Sequence, residues 1–151
     1  MDDKKHPGAE EAPLPRMAES TVHAGFPSPA QDYMSGGIDL NKELVRHPEA
    51  TFYVRVSGDS MTGAGICDGD VLVVDRSLEP RDGSIAICFT DGEFLVRRLR
   101  FSAPDGHSSP GSRTAALILE AANPAYGPIA VDQSSGFAVW GIVTWILKQV
   151  A

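Results

Sequence analysis

From residue 51 onward the chain is written in runs of four to eight residues with a period of two, each run closed by glycine, aspartate, asparagine or proline. Phe52, Val54 and Val56 alternate with Tyr53 and Arg55, the pattern of a strand with one buried face. Val71-Leu72-Val73-Val74, inside 70–75, is an uninterrupted apolar run, and 84–89 and 93–99 give two further strands. Asp91-Gly92 between those two is a two-residue hairpin signal, because both positions tolerate positive φ. Residues 115–120 and 129–131 add short strands around an Asn123-Pro124 turn, and 137–148 reads as a long closing strand with Gly141 as a bulge. Short strands joined by tight turns force a mainly β, compact and highly curved domain.

The first fifty residues carry no such pattern. Residues 1–24 read as a flexible arm rich in Pro, Ala, Glu and Lys. Ser28-Pro29 with Gln31 resembles a helix start, followed by no more than a short turn through about Met34. Residues 39–46 read as a second short helix, capped by Asp39 or Asn41 and stopped before Pro48, with Ile38, Leu44 and Val45 facing inward. The division expected is therefore an arm over 1–24 and one β-rich domain over 25–151.

With 151 residues, a 42% hydrophobic fraction and a formal charge of −7, the chain suits one globular domain with a real core. The acidic balance argues against direct binding of duplex DNA, which needs a basic face. Arg97, Arg98 and Arg100 form a local basic strip that reads as a solvated edge or as ion pairs. Cys67 and Cys88 make no metal-ligand spacing and read as buried free thiols, in keeping with a reducing cytosol. No signal peptide is recognisable, and the apolar run 139–147 is too short to span a bilayer. No cofactor or metal is implied. Asp59, Asp68 and Asp70 read as turn and strand-end carboxylates, since no histidine or cysteine joins them at ligand spacing.

The chemistry-bearing segments are Gly58-Asp59-Ser60-Met61 and Phe94-Leu95-Val96-Arg97-Arg98-Leu99. A serine in a turn of small residues, followed by a basic residue on a later strand, is the layout of a serine–lysine hydrolase. The serine needs a base, and a buried lysine becomes one when its pKa falls toward neutrality. Here the position holds Arg97. Neutralising arginine at pH 7 requires a shift of roughly six units, about 8 kcal/mol. Arg97 can donate a hydrogen bond to Ser60 but cannot take its proton. Arg98 is no replacement, being the same chemistry on the opposite strand face.

These segments, with Ala24-Gly25-Phe26-Pro27, Ile38-Asp39-Leu40-Asn41, His47-Pro48, Asp68-Gly69-Asp70, Asp91-Gly92-Glu93-Phe94 and Ala125-Tyr126, resemble the LexA-like self-cleaving serine peptidases, and most of all their UmuD-type SOS-mutagenesis branch. The resemblance runs from about residue 22 to the end, and 102–113 looks like an insertion. It implies the β-clip fold of the LexA C-terminal peptidase domain, a cleavable Ala24–Gly25 bond, Ser60 as nucleophile, and Arg97 where the family has its base lysine. It further implies a cytoplasmic homodimer, slow self-cleavage stimulated by RecA on single-stranded DNA, and partnership with a UmuC-type Y-family polymerase in translesion synthesis. Repressors of the family carry a helix-turn-helix domain, for which the 24 residues before the scissile pair are too few and too unpatterned. With Arg97 in place, self-cleavage is expected to be blocked. The residue is compatible with a natural loss of the base and with an introduced change that keeps the chain uncut. The alternative is a non-catalytic binding module of the same fold, acting as an uncleavable antagonist or transcription cofactor.

Overall fold

The computed structural model describes residues 14–18, 34–101, 117–131 and 136–151. Two units divide the chain, one ending at Leu44 and the other running from Val45 to Ala151. The expected cleavage pair Ala24-Gly25, the expected helix start at Ser28 and the expected insertion at 102–113 lie outside the described residues.

In the first unit, β1 (Arg16–Ala18) pairs antiparallel with β2 (Met34–Gly37). The expectation of an unpatterned arm therefore fails at 16–18, and the strand at 34–37 begins where the expected short turn was to end, at about Met34. Strands of three and four residues are too short to display a period, and the pairing that stabilises them is not local. Ile38 N–H continues the pairing to the Pro15 carbonyl at 2.7 Å. The α1 helix spans Leu40–Leu44, two residues shorter than its expected end at 46. Asp39 is its cap: Oδ1 accepts from the Asn41 N–H at 3.0 Å, and its carbonyl accepts from the Glu43 N–H at 3.1 Å. Ile38, Leu44 and Val45 are half-buried and do not form a core.

The second unit is a seven-stranded antiparallel sheet: β3 (Thr51–Arg55), β4 (Val71–Asp75), β5 (Ile85–Thr90), β6 (Glu93–Phe101), β7 (Leu117–Glu120), β8 (Ile129–Ala130) and β9 (Ala138–Leu147). Their order is β3-β4-β9-β5-β6-β7-β8, so the last strand of the chain lies inside the sheet and joins two halves. This is why β9 is so apolar. It contacts β4 on one side and β5 on the other, and it bends through two irregularities of register, opposite Val73/Val74 and opposite Ile87/Cys88. The second falls at Trp140-Gly141, where a bulge was expected. Gly141 is required there, because a Cβ would sit 2.5 Å from Val74 Cγ1.

Asp91 and Gly92, at φ 49° and 80°, turn β5 into β6, the two-residue hairpin written in the sequence. Two clusters form the interior. Met61, Ile66, Leu72, Val74 and Ile87 pack under the Ser60 turn with Val56, while Ala86, Cys88, Leu99, Leu119 and Ile142 fill the other half. Cys88 is fully enclosed, and burial pushes its thiol up to about 11, the nearby Arg97 charge opposing the shift. Cys67 departs from expectation. It is exposed, because it belongs to the turn before Asp68-Gly69 and not to the strand that follows.

Candidate active site

The Ser60 turn is built from both sides. Before it, β3 ends and Val56 exchanges backbone hydrogen bonds with the Asp68–Asp70 turn: its N–H donates to the Asp70 carbonyl at 2.8 Å, and its carbonyl accepts from the Gly69 N–H at 2.9 Å. Gly58, at φ 94°, reverses the chain, and its N–H donates to Asp68 Oδ1 at 2.8 Å. After it, Met61 is buried to 2% exposure and anchors a 3₁₀ turn over Thr62–Ala64 that closes on Gly65 at φ 80°. The serine is thus pinned between a glycine reversal and a core methionine, and its hydroxyl stands half-buried at the base of a cleft.

A distant segment clamps the same turn. The Ala122 N–H donates to the Ser60 carbonyl at 2.9 Å, the Gly63 N–H donates to the Ala122 carbonyl at 2.7 Å, and Asn123 Nδ2 donates to the Asp59 carbonyl at 2.9 Å. Tyr126 O–H donates to Asp59 Oδ1 at 2.6 Å, and this bond is the main reason its phenol is pushed above the usual range. Asn123-Pro124 was read from sequence as the start of a turn and Ala125-Tyr126 only as part of the family resemblance; neither was given a part in the site.

Arg97 comes from β6. It lies opposite Ala86 in register, and that small fully buried neighbour leaves room for the guanidinium inside the sheet. The side chain is 7% exposed. Nη1 donates to Ser60 Oγ at 2.8 Å and to the Val96 carbonyl at 2.8 Å. Nε is buried with no acceptor, and the guanidinium carbon lies 5.8 Å from the centre of the Tyr126 ring. Ser60 and Arg97, singled out 37 positions apart, are therefore in direct contact. The bond runs in the direction expected, from the guanidinium to the hydroxyl. Arg98 pairs in register with Ile85 and Glu120, away from the serine, and Arg100 forms an ion pair with Glu120 at 3.2 Å.

The three aspartates serve as structural acceptors. Asp59 binds Tyr126 and Asp68 binds Gly58. Asp70 Oδ2 accepts from Lys148 Nζ at 2.5 Å and from the Cys67 N–H at 2.8 Å. The lysine bond, followed by the backbone one, holds the Asp70 carboxyl below the usual range. Among the described residues no group of His, Cys, Asp and Glu is placed to hold a metal ion.

A cleft of about 350 Å³ opens over Ser60 and Arg97. Its walls are Val54, Val56, Ile87, Phe94 and Val96, with Tyr126 at the rim. The profile of the peptidase S24-like family matches residues 16–144. The chain belongs to the peptidase S24-like family. Within it the chain is UmuD-like and has the LexA-like fold. It is 42% identical over 126 residues to the SamA protein of Salmonella typhimurium, covering 83% of this chain and 79% of that one. To the MucA protein of Escherichia coli it is 42% identical over 128 residues, 85% of this chain and 80% of the relative. A LexA repressor from Vibrio atlanticus is 30% identical over 141 residues, 93% of this chain, and the chain spans 62% of that repressor's length. Within an S24-like peptidase, a buried arginine bonded to Ser60 is the feature that needs a chemical account.

Proposed function

We propose that this chain is an SOS-mutagenesis accessory protein of UmuD type that works uncut. Ser60 occupies the nucleophile position, Arg97 the position of the base, and Ala24–Gly25 the scissile bond. The observation that carries this reading is the 2.8 Å bond from Arg97 Nη1 to Ser60 Oγ. A guanidinium in that place holds the hydroxyl and cannot deprotonate it. In a working dyad a neutral amine would take the Ser60 proton, and Oγ would attack the Ala24 carbonyl carbon. The proton would then pass to the departing Gly25 nitrogen, and water would release the acyl group. Losing the base removes a contribution of roughly 10²- to 10⁴-fold, enough to leave an already slow reaction undetected.

The full-length form then acts by binding. Its partners in this reading are a second copy of the chain, RecA on single-stranded DNA and a UmuC-type Y-family polymerase, in the cytoplasm. Trp145, Ile146 and Leu147 at the C-terminal end of β9 are large, apolar and exposed, which supports association through that end of the strand.

The test is intact-mass measurement of wild type, Arg97→Lys and Arg97→Lys/Ser60→Ala after incubation at roughly pH 8 to 10, where a lysine base is increasingly neutral, with and without RecA filaments. The expected result is loss of residues 1–24 from the single lysine variant alone. Self-cleavage of wild type at Ala24–Gly25 overturns the block assigned to Arg97. Survival of all three uncut removes Ser60 from the nucleophile role.

A further inference from the structure

We propose that the Ser60–Arg97 cleft binds the free α-carboxylate at the end of an extended peptide whose last residue is small. This deepens the reading above and rests on it, because it takes the cleft to be shaped for a chain that presents a small residue to Ser60.

A guanidinium keeps its charge in proteins, and Arg97 is 7% exposed, yet no acidic side chain among the described residues forms an ion pair with it. Nη1 is met by two neutral acceptors, Ser60 Oγ and the Val96 carbonyl, and Nε is met by none. Asp59, which lines the same cleft, is engaged by the Tyr126 hydroxyl. A buried cation without a counter-ion is costly, and an anion entering the cleft offsets that cost. Ser60 Oγ accepts from Arg97, so its own proton can be donated to a carboxylate oxygen. Hydroxyl and guanidinium together make a charge-assisted seat.

Ser60 and Arg97 share their cleft with largely aliphatic and aromatic walls. An isolated phosphate or sulfate would leave those walls unused. The end of β3 and the residues after it, Val54–Ser57, border the cleft, so an extended peptide in it runs beside that segment. A peptide laid there places its final carbonyl carbon at Ser60. In a peptidase that carbon belongs to the scissile bond. When the chain ends at that residue, its two terminal oxygens meet Arg97 and Ser60. Replacing a base by a permanent cation thus turns a cutting site into a reader of cut ends.

The probe is a fluorescein-labelled hexapeptide with the sequence of residues 19–24, Glu-Ser-Thr-Val-His-Ala, prepared as the free acid and as the C-terminal amide. Fluorescence anisotropy with the full-length wild-type protein is expected to show the acid bound at least about tenfold more tightly than the amide. The preference should disappear in Arg97→Gln, with folding checked by circular dichroism. Excess inorganic phosphate should fail to displace the acid. Equal binding of acid and amide, binding of neither, or displacement by equimolar phosphate each overturns the carboxylate seat, and all three are read on wild type. Self-cleavage of Arg97→Lys alongside equal binding of acid and amide would sink the seat and leave the proposed function standing. An acid preference in wild type without cleavage of Arg97→Lys would do the opposite.

Discussion

At the scale of single residues, close packing inside the sheet sets what can be changed. Ala86, opposite Arg97 in register, is fully buried, and Gly141 at the β9 bulge has no room for a Cβ. A methyl group at Gly141 would sit 2.5 Å from Val74 Cγ1, inside a fully buried cluster. Gly141→Ala should therefore destabilise by about 1 to 3 kcal/mol, read from urea midpoints. Tyr126 offers a cleaner local probe. Its phenol is raised chiefly by the Asp59 carboxylate, so Asp59→Asn should move one tyrosine titration to lower pH in ultraviolet absorbance. An unchanged curve would mean the pair does not persist in solution. Ser60 and Arg97 were legible in the sequence because their chemistry is odd at recognisable positions. Cys67 was misread, because it faces solvent in the turn before β4 while Ile66 beside it is buried, and apolar neighbours do not report that difference.

At the scale of elements, legibility followed the locality of the interactions. The β5–β6 hairpin was plain, since Asp91-Gly92 fixes it within a few residues. Gly92 sits at φ 80°, so Gly92→Ala should cost about 1 to 2 kcal/mol of stability in chemical denaturation while leaving the strand register intact. The β1–β2 pair was invisible, because two very short strands recognise each other across a gap in sequence and neither carries a pattern of its own. The position of β9 was equally hidden. Its apolar character announces burial, but nothing in the order of the chain says that the last strand inserts between β4 and β5.

At the scale of the whole molecule, the acid response follows from two aspartates. Burial raises the Asp75 carboxyl, but bonds from His47 at 2.6 Å and from Ser77 outweigh it, and the net shift is downward. Asp70 is lowered by Lys148 and the Cys67 N–H. A carboxyl whose pKa is lower in the folded state binds fewer protons there than in the unfolded chain. Its stabilisation is full above the unfolded value, near about pH 4, and is lost as pH falls through the folded one. Urea midpoints should therefore hold steady from neutral pH to about pH 5 and drop below about pH 4, with a shallower drop in Asp70→Asn. The clamp on the Ser60 turn has a consequence in time. The turn at 58–61 is locked by Ala122, Asn123 and Tyr126, which the ribosome makes some sixty residues later. A nascent chain holds the serine long before it holds the serine's frame. That delay means the serine stays unframed until more than three quarters of the chain has been made, so the order of synthesis alone decides when the site is assembled.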